Sequence, residues 1–207
     1  LAGGSVGAGT GSGAGSKTIW TYTFTPTDAD EAVTINVAID AITDLAGNDN
    51  TAAATQFAFT HDQTDPTVVI TSTSVNTGGS HNGALTMIFT FSEEMTGIAD
   101  GDFTFTNCAA GAYSVQTANT VFHQVCTPST NGATVTVAVA ASKGTDPAGN
   151  NNAAATDFTF TYETTAPTVT ITSADVNTGG SHNGATTMIF TFSEEMTGIA
   201  DGDFTFT

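Results

Sequence analysis

The chain alternates hydrophobic and polar residues with a period of two in several short segments. Residues Ala133–Ala140 carry a valine at three alternate positions, and in Leu85–Phe91 a leucine, a methionine and two phenylalanines alternate with other residues. Successive side chains of a β-strand point to opposite faces of the sheet, so this alternation is typical of strands with one buried face. Both segments are therefore predicted to be half-buried β-strands.

Between residues 62 and 162, further segments of this kind are separated by turn residues, such as the run Asn76–Gly83. The predicted strands are Thr67–Ser72, Leu85–Phe91, Asp102–Thr106, Tyr113–Gln116, Val121–Cys126, Ala133–Ala140 and Phe158–Tyr162. Tyr113–Gln116 has the weakest pattern among them. About seven strands in about 100 residues is the size of an immunoglobulin-like (Ig-like) β-sandwich, so the predicted fold class is all-β.

The sequence repeats with a period of about 101 residues. Residues Asn76–Thr106 and Asn177–Thr207 are identical except that Leu85 is replaced by Thr186. The loop sequence that begins at Asp44 returns at Asp146 with one change. Sandwich folds tolerate wide sequence variation, so near-identity over such a length indicates a recent duplication in a tandem array.

The repeat divides the chain into three predicted segments. Residues 1–61 are the C-terminal part of one repeat (the leading segment), 62–162 are a complete repeat, and 163–207 are the N-terminal part of a further repeat (the trailing segment). Neither partial repeat is expected to bury its own strands. Residues 163–207 are therefore expected to pack head to tail with 1–61 of the next copy. That copy is either a separate chain or part of one continuous polypeptide, and the second is preferred because a free start would leave the first strand unpaired.

Four short motifs occur along the chain in a constant order. They are the Thr-Ala-Pro-Thr approach to a strand (Thr165–Thr168), the Phe-Thr-Phe-Ser-Glu strand (Phe89–Glu93, Phe190–Glu194), the Thr-Pro-Thr turn (Thr25–Thr27) and the Thr-Asp-x-Ala-Gly-Asn loop (Thr43–Asn48, Thr145–Asn150). In these motifs the chain resembles the bacterial Ig-like repeats of giant surface adhesins and related extracellular filaments. The resemblance implies a β-sandwich fold, an extracellular or cell-surface location and a role as a spacer or adhesive stalk. It implies no ligand.

The chain is strongly acidic, with 2 Lys and Arg against 20 Asp and Glu and a formal net charge of -18. Such a surface repels phosphate backbones and anionic lipid, so neither nucleic acid nor a membrane surface is an expected partner. No apolar run approaches the roughly 20 residues that a membrane-spanning helix needs. Residues 1–16 lack the basic start and apolar core of a signal peptide, so the chain is expected to be a mature or excised segment.

The two cysteines, Cys108 and Cys126, flank the predicted turn between neighbouring strands. A disulfide between them would add roughly 3 kcal/mol of stability in the chain-entropy model, and an extracellular location favours it. The alternative is two reduced cysteines in the core. An offset of 102 residues places Val6 and Phe24 at these positions in the leading segment, so the pair of cysteines is expected to be optional.

Acidic residues gather at predicted strand ends, where their oxygens could bind calcium, which takes six to eight oxygen ligands. The candidate ligands are Asp62, Asp65, Glu93, Glu94, Asp146, Asn150 and Glu163. The alternative is that they are solvated turn residues, since Asp and Asn are common in turns and the spacing of a self-contained calcium loop is absent from the sequence. Asp65 becomes Ala166 at the second junction, which weakens its case.

No catalytic residue is predicted. Paired carboxylates can hydrolyse glycosides, but Glu93 and Glu94 are consecutive strand residues and point to opposite faces. The same pair recurs as Glu194-Glu195, and enzymes seldom repeat an active site in every domain. The histidines are too scattered for a metal triad: His61, His81, His123 and His182.

The leading functional hypothesis is a structural protein, an extracellular filament or stalk of tandem domains. The alternative is an adhesin module that binds a carbohydrate, a host protein or a matrix ligand through one face of loops. Identical loops in every repeat favour a spacer, whereas a terminal domain with unusual loops would favour binding. The parent gene would discriminate between them, because a long array of the same repeat indicates a spacer.

Overall fold

The computed structural model describes residues 4–12 and 18–207, which form short β-strands and two 3₁₀ turns. In chain order the strands within these residues are β1 (Gly4–Val6), β2 (Thr10–Ser12), β3 (Ile19–Thr21), β4 (Phe24–Pro26), β5 (Glu31–Ile35), β6 (Phe57–His61), β7 (Val68–Ser72), β8 (Ser80–His81), β9 (Leu85–Phe91), β10 (Phe103–Thr106), β11 (Cys108–Thr117), β12 (Val121–Pro128), β13 (Thr134–Val139), β14 (Phe158–Tyr162), β15 (Val169–Ser173) and β16 (Met188–Phe192). The 3₁₀ turns are Asp100–Asp102 and Asp201–Asp203. The predicted all-β class is confirmed. Across the described ranges, no helix is long and apolar enough to cross a membrane.

Residues 62–162, hereafter the complete domain, fold into two four-stranded sheets around one hydrophobic core. The strand order is β11-β12-β9-β7 in one sheet and β10-β13-β14-β8 in the other. All these pairs are antiparallel except β14 with β8, which is parallel. Alternate residues of the strands face inward, as packing of two sheets requires. The buried core is Val68, Ile70, Leu85, Met87, Phe89, Phe91, Met95, Phe103, Phe122, Cys126, Val135, Val137, Val139, Phe158 and Phe160.

Aromatic rings fill the centre of this core. Phe89 stacks on Phe103 with the ring centroids 3.8 Å apart, and Phe122 meets Phe91 edge to face at 5.6 Å. Such ring pairs add to the stability that burial of the rings already gives. Because Phe89 lies in one sheet and Phe103 in the other, their stack joins the two layers.

Two elements of the complete domain differ from the prediction, so that the part of it the structure describes holds eight strands rather than about seven. The weak candidate Tyr113–Gln116 lies in the C-terminal half of the ten-residue β11. This edge strand is mostly exposed and carries register shifts, which remove the alternation. The predicted turn region Asn76–Gly83 contains β8, whose two residues are too few to show a period.

The partial repeats form small sheets with little core of their own. In the described leading segment the sheets are β1–β4, β2–β3 and β5–β6, and Val33 is the buried hydrophobic residue there. The trailing segment contains the antiparallel pair β15–β16. It is a compact unit separate from the part of the chain that ends at Tyr162. The predicted boundaries at residues 61/62 and 162/163 stay a prediction.

The two linkers leave the complete domain at opposite ends. The Nδ2 of Asn150 donates to the carbonyl oxygen of Asp62 at 3.2 Å, so the preceding linker lies beside the loop that follows β13. The backbone N–H of Tyr162 donates to the carbonyl of Ala133 at 2.9 Å, just before β13 begins. The six residues of β13 separate these points by about 20 Å, at about 3.3 Å per residue.

Candidate functional site

The linker into the complete domain is held from both sides. The complete domain contributes the Asn150 contact and a hydrogen bond from the Ala153 N–H to the carbonyl of Pro66 at 2.8 Å. Pro66 itself is buried. The leading segment contributes Asp30, so a short linker is fixed by contacts with two successive repeats.

Asp30 bonds the linker through both carboxylate oxygens. Its Oδ1 accepts from the backbone N–H of Gln63 at 3.2 Å, and its Oδ2 accepts from the hydroxyl of Thr64. These hydrogen bonds, that of Thr64 first, lower the pKa of Asp30 below its ordinary value. The sequence analysis missed Asp30, which lies in a turn more than thirty residues before the linker. The one signal for it is the acidic turn Asp28–Asp30.

Three carboxylates from distant parts of the chain meet beside this linker. Oxygens of Asp62, Glu93 and Asp146 all lie within 4.8 Å of one another. Among the described residues, Lys143 forms an ion pair with Asp102 at 3.9 Å, and no ion pair reaches these three carboxylates. The cluster therefore concentrates negative charge where two repeats meet, and its oxygens are the ligand type that Ca²⁺ prefers.

The loop that carries Asp146 fixes the direction of its carboxylate. Asp146 is 2% exposed, and its Oδ1 accepts from the N–H groups of Gly149 at 2.6 Å and Asn150 at 2.9 Å. Its Oδ2 accepts from the Nδ2 of Asn150 at 2.8 Å. Burial acts to raise the pKa of Asp146, but these hydrogen bonds outweigh it and the pKa lies below its ordinary value. Asp146 is therefore a preorganised carboxylate.

The pKa of Glu93 shifts in the opposite direction to the pKa of Asp146. Burial raises the pKa of Glu93 above its ordinary value, and the negative charges of Asp146, Asp62 and Asp30 raise it further, in that order. No hydrogen bond compensates by lowering it. Glu93 is thus the member of the cluster whose charge is least favourable without a cation.

Among the other predicted ligands, Asp65, Glu94 and Glu163 do not belong to the group of three carboxylates. Asp65 and Glu94 are exposed, and Glu94 accepts a bond from Asn119 at 3.4 Å. Asn150 lies beside the cluster, since its Nδ2 donates to the Oδ2 of Asp146 at 2.8 Å and to the carbonyl oxygen of Asp62 at 3.2 Å. Glu163 belongs to the trailing segment, where its Oε1 accepts from the Thr165 N–H at 2.5 Å and its pKa is lowered chiefly by Thr165.

The structure contains a disulfide between Cys108 and Cys126, whose Cα atoms are 5.7 Å apart. It joins the edge strand β11 to β12, in a register that pairs Cys108 with Pro128 and Ala110 with Cys126. Cys126 is fully buried in the core. The disulfide thus anchors the exposed β11 to the interior of the sandwich.

The leading segment replaces this disulfide by a close contact between Gly4 and Phe24. β1 pairs with β4 in the register Gly4–Pro26 and Val6–Phe24, which matches Cys108–Pro128 and Ala110–Cys126. Gly4, and not Val6 as the offset suggested, therefore takes the place of Cys108. A Cβ atom at Gly4 would overlap the ring of Phe24, so only glycine fits there. The Phe24 ring occupies the space beside β1 that a disulfide would bridge.

The trailing segment presents an apolar sheet face that is buried in the complete domain. β15 and β16 pair in the register of β7 and β9, with Ile171 opposite Phe190 as Ile70 is opposite Phe89. Ile171 is 55% exposed, whereas Ile70 is 8% exposed. A groove of about 480 Å³ runs over this face, lined among others by Val169, Met188, Phe204 and Phe206.

The leading segment exposes the other half of the same core. Its Phe57 is 62% exposed, whereas the corresponding Phe158 of the complete domain is 5% exposed. Ile35 and Trp20 are also exposed, and their counterparts Val137 and Phe122 are buried. Each partial repeat thus carries one set of inward-facing side chains without the opposing set.

Residues 62–162 match the model of the family described as the bacterial Ig-like domain. No curated protein matches the chain in sequence. Domains of this family are commonly extracellular and suggest a surface or structural module. The Ig-like all-β fold is typically non-enzymatic.

Proposed function

We propose that the chain is part of an extracellular stalk or filament of tandem Ig-like domains, joined head to tail, with a structural and adhesive role. The observation that carries the proposal is that the linkers leave the complete domain at opposite ends, next to Asp62 and Tyr162. A string of domains linked in this way extends rather than folds back. The flanking segments support the proposal because they carry the same strands as the complete domain.

Short, bonded linkers favour a stiff stalk. The linker from Asp62 to Pro66 has hydrogen bonds to the leading segment through Asp30 and to the complete domain through Asn150 and Ala153. A flexible linker would lack such contacts with both neighbours. We infer that this junction transmits bending and pulling forces between the leading segment and the complete domain.

The experiment that tests this function is single-molecule pulling on the full chain through its two ends. A domain built to carry tension is expected to unfold in one discrete event, because force applied at opposite ends loads both sheets together. Smooth extension with no discrete event would contradict the mechanical role.

We also propose that Ca²⁺ binds at the junction and stiffens it, through Asp62, Glu93 and Asp146, with Asp30 nearby. The meeting of three carboxylates from separate loops, without a basic partner among the described residues, favours this proposal over isolated turn residues. Burial and the neighbouring negative charges together raise the pKa of Glu93, and bound Ca²⁺ would offset both by stabilising the charged carboxylate. Thermal melts of the chain in calcium and in chelator test this proposal, and identical melts would contradict it.

A further inference from the structure

We propose that Cys108 is the cysteine of the complete domain with which small-molecule thiols, such as glutathione, react, and that Leu85 shields Cys126 from them until the domain unfolds. The proposal concerns the complete domain alone. It goes beyond the proposed function, because it assigns a chemical reactivity to the disulfide rather than a place in a stalk. It is carried by the unequal burial of the two cysteines and by the strands on either side of them.

The two cysteines of the disulfide lie at different depths. Cys108 is the first residue of β11 and is partly exposed, whereas Cys126, in β12, is 0% exposed. β11 is an edge strand, which within the described part of the chain pairs with β12 alone. A thiol in solution can therefore approach Cys108 from the free edge of the sheet, and it has no comparable route to Cys126.

Leu85 lies beyond Cys126 in the same sheet. The strand order places β9 next to β12 on the side away from β11, and Leu85 is the cross-strand neighbour of Cys126. Leu85 is 4% exposed and belongs to the same core cluster. A thiolate attacks a disulfide along the line of the sulfur–sulfur bond, so an attack on Cys126 has to come from the side opposite Cys108, where β9 lies. The close packing of the core blocks this approach.

The reaction at Cys108 is a thiol–disulfide exchange. The sulfur of the small thiolate forms a bond with the Cys108 sulfur, the bond between Cys108 and Cys126 breaks, and its electron pair goes to the Cys126 sulfur. The product is a mixed disulfide on Cys108 and a thiolate on Cys126. Burial disfavours a charged thiolate, so Cys126 is a poor leaving group in the folded domain. The exchange at Cys108 is therefore slow and readily reversed.

Unfolding of the domain removes both obstacles at once. In the unfolded chain Cys126 is in water, where its thiolate is stabilised, and either sulfur can be attacked along the bond. A second small thiolate then attacks the mixed disulfide, which leaves two reduced cysteines and one disulfide of the small thiol. Tension that unfolds the domain therefore converts a bond that resists reduction into one that is readily reduced.

The first experiment locates the adduct on the full chain. The unaltered chain is incubated with reduced glutathione at neutral pH, in native buffer and in urea, and the exchange is stopped with acid. Mass spectrometry of the peptides then shows which cysteine carries glutathione. The expected result is adduct on Cys108 and none on Cys126 in native buffer, and adduct on both in urea. Adduct on Cys126 in native buffer, or on neither cysteine there, would overturn the proposal.

Variants with a single cysteine measure the access to each thiol directly. Cys126→Ser leaves the Cys108 thiol, Cys108→Ser leaves the Cys126 thiol, and both variants are treated with oxidised glutathione. In native buffer the Cys126 thiol is expected to react at least about a hundredfold more slowly than the Cys108 thiol, because it reacts only when the core opens. In urea the two rates are expected to be similar. Similar rates in native buffer, with both variants folded by circular dichroism, would overturn the proposal.

The variant Leu85→Ala tests the shield. The smaller side chain opens space beside Cys126, so in native buffer glutathione adducts are expected on both cysteines. The control Ile70→Ala removes a similar core side chain from β7, which β9 separates from β12, and is expected to keep the adduct on Cys108 alone. Equal results for the two variants, whether the adduct stays on Cys108 or is found on both cysteines, would contradict the role of Leu85.

Discussion

Phe89 and Phe103 stack across the two sheets of the complete domain with their ring centroids 3.8 Å apart. Phe89 is fully buried, so replacing it by alanine leaves a cavity that its neighbours cannot fill. Phe89→Ala is expected to lower the free energy of unfolding by about 3–5 kcal/mol. Urea unfolding of the full chain followed by circular dichroism measures the change. Thr90→Ala, at an exposed position of the same strand, is the control and is expected to change it little. Similar losses of unfolding free energy in the two variants would contradict the packing of Phe89 in the core.

The disulfide limits how far the complete domain extends when it unfolds. Cys108 and Cys126 are 18 residues apart, and at about 3.5 Å per extended residue their loop hides roughly 60 Å of chain. Reduction is expected to lengthen the unfolding step in single-molecule pulling by that amount. The Cys108→Ser/Cys126→Ser variant should show the longer step with or without reductant. If reductant does not change the length of the unfolding step in the unaltered chain, the loop between the two cysteines is not closed by a disulfide.

Asn152 holds the loop between β13 and β14 through four hydrogen bonds to the backbone. Its Oδ1 accepts from the N–H groups of Lys143 at 2.7 Å and Gly144 at 3.0 Å, and its Nδ2 donates to the carbonyls of Ala140 at 2.9 Å and Ala153 at 2.8 Å. Asn152→Ala leaves these groups without that partner and is expected to cost about 2–4 kcal/mol of unfolding free energy. The neighbouring exposed Asn151→Ala is the control. Equal unfolding midpoints for the two variants would contradict this role.

Alternation of side chains was sufficient to predict the strands of the complete domain that have one buried face. It could not predict β8, which has two residues, or the extent of β11, whose side chains are mostly exposed. Nor could a fixed offset identify Gly4 as the counterpart of Cys108, because the intervening edge strand differs in length between repeats. Pairing register, which depends on the partner strand, decides that correspondence.

The acidic residues at strand ends were predictable as a group, but not which of them meet. Asp62, Glu93 and Asp146 converge because a linker, a strand end and a loop lie at one end of the sandwich. Both Glu93 and Glu94 lie after the end of β9, not within a strand as predicted, and the exposed Glu94 is not part of the group. Asp30 comes from the preceding repeat, and no pattern within one repeat could reveal a contact between two.

The raised pKa of Glu93 predicts how pH changes stability in calcium-free buffer. The folded chain binds the proton of Glu93 more tightly than the unfolded chain does. In the unfolded chain the pKa of this side chain has its ordinary value of 4.5. Protonation of Glu93 therefore stabilises the fold fully below pH 4.5. This stabilisation is lost as the pH rises through the pKa that Glu93 has in the folded chain. Glu93→Gln is expected to raise the urea midpoint at pH 7, with the gain fading as the pH approaches 4.5. Glu94→Gln, at the exposed neighbour, is the control, and a gain independent of pH would contradict the assignment.

In calcium, Glu93→Gln is expected to lower the stability of the chain, whereas in calcium-free buffer it is expected to raise it. If Ca²⁺ binds the cluster, the unaltered chain gains about 2.7 kcal/mol at a hundred times the dissociation constant, measured as the difference between thermal melts in calcium and in chelator. Glu93→Gln is expected to lose most of this gain. Asp157→Asn, which removes an exposed acid elsewhere, is expected to keep it. Identical melts of the unaltered chain in both buffers would contradict calcium binding.

The most direct test of the head-to-tail account is electron microscopy of tandem arrays with one, two and four copies of residues 62–162, each copy joined to the next through its own linker. Linkers at opposite ends of the domain predict unbranched rods one domain wide, whose length increases in proportion to the number of copies. Compact particles, or rods that fold back on themselves, would contradict the account.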